Sequence, residues 1–193
     1  MKTKHKILFA KVLYFLLSIL ISKNIIKIKK NRINWELDLS EGIDLSVYLF
    51  GKFEYEIITT IAKHKLSKKP IFFDIGANVG VQTLQLGEYF KDSIIHSFEP
   101  TNFGYNKMKK NISLNPSLRK KIFINQTFLT NKKKIPKKIY ASWNLQNKKK
   151  VHKKHLGSFK TTSNANSFKL DAYIVKNKIK KIDFIKLDVD GHE

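Results

Sequence analysis

The chain has 193 residues, 42% of them hydrophobic, which is enough to bury one core but not two. Lysine and arginine outnumber aspartate and glutamate by 38 to 15, and the lack of cysteine excludes disulfides, zinc–cysteine centres and thiol chemistry. The formal charge of +23 favours polyanionic partners, but only Arg32 and Arg119 offer the planar guanidinium typical of nucleic-acid recognition, so no nucleic-acid partner is expected.

An apolar stretch at residues 7–22, flanked by lysines, predicts a helix within a first segment at residues 1–30. If it continues through Ile28 it approaches the roughly 20 apolar residues that a bilayer crossing needs. Residues 7–28 therefore predict a membrane association, either spanning or interfacial, of an otherwise cytoplasmic protein. The alternative is a helix packed on the domain or a disordered basic leader.

Residues 31–69 are predicted to form a cap region ahead of the main domain. Acidic residues and a glycine interrupt residues 35–50, which indicates short strands or a lid. The spacing of apolar residues at 53–66 predicts a helix that ends in a lysine-rich turn before Pro70.

From residue 70 to residue 193, short apolar runs alternate with amphipathic stretches. The predicted strands are 71–75, 93–98, 121–124 and 182–189, and the predicted helices are 81–90 and 102–114. Residues 130–167 predict solvated loops around one short strand near 139–143. The predicted fold class is α/β, with a doubly wound, mostly parallel sheet and helices on both of its faces.

The loop after the first of these strands has the composition of a nucleotide-binding turn. Gly76 can take dihedral angles closed to other residues and lets a ligand touch the backbone, and Gly80 lets the next helix begin close to the sheet. Asn78 replaces the second glycine of a G-x-G-x-x-G loop, which disfavours NAD. Asp74 can accept hydrogen bonds from a cationic amino group, which S-adenosylmethionine has and NAD lacks. The alternative is an ordinary strand-to-helix turn.

Glu99 ends the second predicted strand, 25 positions after Asp74. An acid at that strand end lies beside the first loop in a doubly wound sheet and can accept both hydroxyls of a ribose. The cofactor-binding candidates are therefore Asp74, Gly76, Asn78, Gly80 and Glu99. The adenine is expected near the end of the third strand, at residues 125–127.

Together with the closing Lys-x-Asp-x-Asp-Gly-His-Glu at residues 186–193, these motifs resemble the FkbM-type methyltransferase family. The resemblance covers about residues 55–193 and is weakest at 130–167. Its further signatures are Phe98-Glu99-Pro100, Asn111 with Leu114-Asn115, and Leu170-Asp171. Asn111 is open to two interpretations, a helix-end tie or a ligand contact.

The resemblance implies a Rossmann-like methyltransferase fold, S-adenosylmethionine as the methyl donor, and a hydroxyl of a small metabolite or sugar as the acceptor. It also implies a chain that stops early, with the C-terminal strands of the sheet missing. Two other functions stay open: a basic protein that binds nucleic acid or a membrane surface and keeps a vestigial nucleotide loop, and a nicotinamide-dependent enzyme.

Methyl transfer to a hydroxyl needs alignment of the reactants and a group that takes the proton. Asp188, at the end of the fourth strand, lies at the same sheet edge as the cofactor loop, and His192 and Glu193 follow closely. These three residues are the catalytic candidates, and a loop-capping role is the alternative for Asp188. No metal site is predicted, because nearby acids without a second ligand segment are a weak signal.

Overall fold

The computed structural model describes residues 3–21, 23–132, 134–141, 143–146 and 157–189. The elements found there are, in chain order, α1 (Thr3–Leu20), β1 (Ile25–Lys30), β2 (Ile33–Asp38), α2 (Gly42–Phe50), α3 (Glu56–Ile61), β3 (Ile71–Ile75), α4 (Val81–Tyr89), β4 (Ile94–Phe98), α5 (Asn102–Ser113), α6 (Pro116–Arg119), β5 (Ile122–Asn125), β6 (Thr127–Leu129), β7 (Lys138–Ala141), β8 (Ser158–Thr161), β9 (Asn166–Phe168), α7 (Leu170–Lys176) and β10 (Phe184–Leu187). Four of the strands form a parallel sheet in the order β10-β3-β4-β5.

The register of the parallel sheet aligns the strand ends. Ile75 at the end of β3 pairs with Phe98 of β4 on one side and with Leu187 of β10 on the other. Because the three strands are parallel, the residues that follow them share one edge of the sheet. That carboxyl edge is where ligands bind in open α/β sheets.

Both faces of the sheet are covered by helices. Successive strand residues point to opposite faces, so Phe72 packs in one cluster with Leu84 of α4 and Met108 of α5. Its neighbour Phe73 packs in another cluster with Tyr173 of α7. The α/β class with a parallel sheet between helices is therefore confirmed.

An antiparallel hairpin of β1 and β2 precedes the sheet. Its turn residues Asn31 and Arg32 both have positive φ angles, 50° and 65°, as a type I′ turn requires. Trp35 of β2 is buried in the same cluster as Phe72. The fully buried Asn111 of α5 ties the hairpin down, because its Oδ1 accepts a 2.8 Å hydrogen bond from the backbone N of Glu36. Asn111 thus has a structural role, because it holds the hairpin against α5.

The predicted N-terminal helix is shorter than expected. It ends at Leu20, and Ile25–Lys30 form β1, so the continuation of the helix through Ile28 and over the rest of the 1–30 segment is wrong. Alternate side chains of β1 explain the difference, because Ile26 and Ile28 pack inward while Ile25 is exposed. In the described part of the chain, no helix is long and apolar enough to cross a membrane.

Two other segments also differ from their predictions. Residues 35–50 contain the expected short strand but also the helix α2, which begins at Gly42. The predicted helix at 53–66 is confirmed only over α3, at Glu56–Ile61. The loop-rich region has β7 near its predicted place, and it also contains β8 and β9.

Asp183 joins the start of β10 to the segment before β3. Its carboxylate accepts hydrogen bonds from the backbone N (3.0 Å) and Oγ (2.6 Å) of Ser67 and from the backbone N of Ile71 (3.0 Å). Burial raises the pKa of the Asp183 carboxyl, but these hydrogen bonds outweigh burial and hold the pKa below its usual range. The ionised form is therefore the one that stabilises the fold.

We expect Asp183→Ala to lower the free energy of unfolding by about 3 kcal/mol at neutral pH, since hydrogen bonds to a charged acceptor are the strong ones. A depressed pKa means that this contribution is present above the unfolded carboxyl pKa of about 3.9 and is lost as the pH falls below it. Urea unfolding at pH 7 and pH 3 measures both effects. Asp92→Ala, at an exposed turn residue, is the control. Equal stabilities of Asp183→Ala and the parent at pH 7 would contradict the assignment.

Candidate functional site

A cavity of about 710 Å³ opens at the carboxyl edge of the parallel sheet. The loop after β3, Glu99 after β4, and Lys186 and Asp188 at the end of β10 all line it. Its remaining walls come from β6, β7, the start of α7 and the segment around Phe53. The volume falls within the range of small-molecule sites.

Gly76 occupies a position that no side chain can share. Its φ of +77° lies in the left-handed region, and a Cβ there would stand 1.8 Å from the backbone oxygen of Asp188. The backbone N atoms of Gly76 and Ala77 donate hydrogen bonds of 2.9 and 3.0 Å to the carbonyl of Phe98. The loop is thereby held against β4 and β10, with bare backbone facing the cavity.

Asn78 and Gly80 complete the turn in different ways. Asn78 lines the cavity with a φ of 50°, and its side chain makes no hydrogen bond with the described residues. Gly80 is buried and is absent from the cavity wall; a Cβ there would stand 2.7 Å from Cγ of Met108 on α5. Gly80 thus lets α4 start close to α5, which is a packing role and not a contact with a cofactor.

Glu99 is held rigidly at the cavity wall. Its Oε1 accepts hydrogen bonds from the backbone N (2.8 Å) and Oγ1 (2.5 Å) of Thr101, and its Oε2 accepts one from the backbone N of Asn78 (2.9 Å). Burial raises the pKa of Glu99, the hydrogen bonds from Thr101 and Asn78 oppose this, and the nearby Asp74 adds to the rise. Gly104 packs behind the carboxyl group, where a Cβ would stand 2.9 Å from Cδ.

Asp74 lies behind the loop and does not line the cavity. Its side chain is fully buried; Oδ2 accepts a 2.6 Å hydrogen bond from Oγ1 of Thr83, and Oδ1 is 3.4 Å from Nζ of Lys186. The expectation of a direct contact between Asp74 and a ligand amino group therefore needs correction, because the loop and Lys186 stand between them. Asp74 influences the cavity through Lys186.

Lys186 is a charged residue of the cavity wall that was not predicted to be functional from the sequence. Its Nζ lies between two carboxylates, 3.4 Å from Asp74 and 3.5 Å from Asp188, while the Asp188 side chain is 55% exposed. Burial lowers the pKa of Lys186, but the two carboxylates outweigh it and raise the pKa, so the amine is charged. The signal in the sequence was a lysine within an otherwise apolar strand that ends in an acid.

A family model described as the Methyltransferase FkbM domain matches residues 74–193, which is more than half of the chain. The chain belongs to the FkbM methyltransferase family. The matched region begins at Asp74 and includes Gly76, Asn78, Glu99, Lys186 and Asp188 of the cavity wall. The resemblance carried by the Asp74 loop, the strand end at Glu99 and the closing motif is thus confirmed.

Solved structures resemble this FkbM chain only over part of their length. TYW2 from M. jannaschii in complex with AdoMet is 18% identical, with 53% of this chain and 42% of that chain covered and a TM-score of 0.38. TYW2 from P. horikoshii in complex with MeSAdo is 15% identical, with 53% and 35% covered and a TM-score of 0.37. The chain spans less than half of either protein. No curated protein matches the sequence.

Other predicted site residues of this FkbM domain fall into two groups. At the expected adenine site, Thr127 lines the cavity, whereas the Asn125 amide donates to the carbonyl of Ser97 and to the hydroxyl of Tyr173. His192 and Glu193, two of the three catalytic candidates, lie outside the described residues. Asp188 is the catalytic candidate that the structure places, and it lies at the cavity.

Proposed function

We propose that this FkbM-family chain binds S-adenosylmethionine in the cavity and transfers its methyl group to a hydroxyl of a small metabolite or sugar. One observation carries the proposal: the bare backbone at Gly76 and the fixed carboxylate of Glu99 face the same cavity at the carboxyl edge of the sheet. A flexible loop and a surface acid would not meet in this way. A nucleoside, whose ribose hydroxyl can donate a hydrogen bond to Glu99, suits this pair of groups.

Each part of the donor has a suitable neighbour in the cavity. Glu99 has one acceptor site left for a ribose hydroxyl, at Oε2, since a carboxylate offers about four acceptor sites and the protein uses three. Phe128 and Leu129 of β6 offer an apolar surface for the adenine. Lys186 is a charged group for the carboxylate of the methionine part, and the Gly76 backbone lines the cavity where the sulfonium would lie.

The chemistry demands little of the protein beyond alignment and proton removal. The donor supplies an activated methyl group whose C–S bond breaks as the acceptor oxygen forms the new C–O bond. The hydroxyl proton must leave, and the exposed Asp188 carboxylate at the cavity wall is the group that takes it. The apolar side chains of Ile43, Phe53 and Ile139 limit water around the reacting atoms.

Isothermal titration with S-adenosylmethionine, its demethylated product and NAD tests the donor. We expect binding of the first two and none of NAD, because the loop lacks the second glycine of a dinucleotide site. A tritiated methyl donor, offered with a panel of monosaccharides and small hydroxy compounds, then identifies the acceptor. Binding of NAD or of polyanions, without binding of the methyl donor or its product, would overturn the proposal.

Glu99→Gln is expected to weaken binding of the demethylated product at least about tenfold, because an amide NH2 donor replaces one of the two acceptor oxygens. The same titration with a product analogue that lacks the ribose 2′-hydroxyl shows whether the loss belongs to the ribose. The parent should bind the analogue more weakly than the demethylated product, whereas Glu99→Gln should bind the two with equal affinity. Glu56→Gln, at an exposed position in α3, serves as the charge-matched control. Equal discrimination by the parent and Glu99→Gln would exclude the ribose contact.

A further inference from the structure

The helix α1 lies along the body of the domain. Tyr14 and Leu17 on its inner side pack against a buried cluster that contains Leu39, Leu45 and Leu145. The Tyr14 hydroxyl also donates a 3.0 Å hydrogen bond to Asn24 and accepts a 2.6 Å bond from Gln146. These contacts fix which side of the helix faces outward.

The outer side of α1 is apolar where a surface helix would be polar. Seven large apolar side chains, between 51% and 81% exposed, lie there: Leu8, Phe9, Val12, Phe15, Leu16, Ile19 and Leu20. At 100° per residue they span an arc of about 140° along a helix of about 27 Å. A helix that is apolar on both sides is ordinarily buried on both sides. Among the described residues, other parts of the chain pack only against the inner side of α1.

The charge around this face is positive. Residues 1–35 contain nine lysine and arginine residues and no aspartate or glutamate. Among them, Lys11 is exposed at the border of the apolar face, and Lys23, Lys27 and Lys29 are exposed directly after the helix. Positive charge at the border of an apolar helix face matches an anionic lipid surface, where the cations meet headgroups and the apolar side chains meet acyl chains.

We propose that the outer face of α1 docks in the plane of an anionic lipid bilayer. A second copy of the chain is disfavoured as the occupant, because two such faces in contact would bring two strongly positive segments together. In-plane docking also agrees with the anchored inner side, which leaves only one side of the helix for lipid. This proposal is independent of the methyl-transfer chemistry.

Vesicle sedimentation of the full chain tests the docking, with phosphatidylcholine vesicles that do or do not contain phosphatidylglycerol. We expect binding to the anionic vesicles only, weakened by high salt. The double variant Phe15→Ser with Ile19→Ser should lower the partition coefficient at least about tenfold, because it removes apolar area that would enter the bilayer. Both residues are exposed, so the thermal unfolding midpoint should be unchanged.

Val175→Ser is the matched control, since Val175 is 77% exposed on α7 and lies far from α1 in sequence. It should bind anionic vesicles as the parent does. Equal partitioning of the parent and the double variant would overturn the proposal. Light scattering that shows a dimer, dissociated by the double variant and without vesicle binding, would overturn it in favour of a second copy.

Discussion

Gly76→Ala is expected to abolish measurable binding of the methyl donor and to lower the free energy of unfolding by about 3 kcal/mol or more. The added Cβ would overlap the backbone oxygen of Asp188 at 1.8 Å, and a main-chain atom cannot move aside as a flexible side chain can. The φ of +77° adds strain for any residue with a Cβ. Relief requires β3 and β10 to separate at the edge where the cavity lies.

Gly87→Ala is the control for this prediction. Gly87 lies inside α4, and a Cβ there meets side-chain atoms of Ile95, Leu118 and Ile122 at 3.4 to 3.7 Å, which is ordinary contact. Alanine also favours a helix more than glycine does. Urea unfolding and titration with the demethylated product should therefore show a stable, binding-competent Gly87→Ala. Unchanged stability and binding of Gly76→Ala would show that the loop adopts another conformation.

The central part of the fold was predictable from local pattern. Residues 71–125 alternate short apolar runs with amphipathic stretches, and β3, α4, β4, α5 and β5 lie within about a residue of their predicted bounds, whereas the short helix α6 was not predicted. Strands buried on both faces give continuous apolar runs, which makes them easy to recognise. Since parallel strands end at one edge, the neighbourhood of Gly76, Glu99 and Asp188 followed as well.

The N-terminal part was less predictable, because distant contacts decide it. Ile25 to Ile28 continue an apolar helix in sequence, yet they pair with β2 through backbone hydrogen bonds. The helix α2 begins at a glycine because the Trp143 ring occupies the place of a Cβ, 2.3 Å away at Cζ3. Trp143 lies 101 positions after Gly42, so the sequence around Gly42 does not indicate this contact.

The burial of the Asp74 side chain could not be predicted from the sequence either. Asp74 is the residue before the last of β3, and its side chain points into the protein. Its register partner on β10 is Lys186, whose ammonium group pairs with the Asp74 carboxylate. Recognising that pair requires knowing that β10 lies next to β3, although 108 residues separate the end of β3 from the start of β10. Strand ends can be read from sequence, but the side of the strand that faces the ligand depends on the neighbouring strand.

Asp188→Asn is expected to reduce kcat by about 100-fold to 10,000-fold with the acceptor that the tritiated donor identifies, while donor affinity changes by less than about threefold. The substitution keeps the size of the side chain and removes the proposed proton acceptor. The parent carboxylate is accessible from the cavity, as proton transfer from an acceptor requires. Asp92→Asn makes the same charge change at an exposed turn and should keep full turnover.

A second role for Asp188 leads to a different result. If its carboxylate served only to balance Lys186, its removal would leave that ammonium with Asp74 as its close carboxylate partner. The extra positive charge at the cavity wall would then change the affinity for the donor, which carries both a carboxylate and a sulfonium, and kcat would fall little. Titration with the demethylated product and steady-state kinetics on the same variant separate the two roles. A large loss of kcat with donor affinity preserved identifies proton removal, because a pure charge balance acts on binding and not on the transfer step.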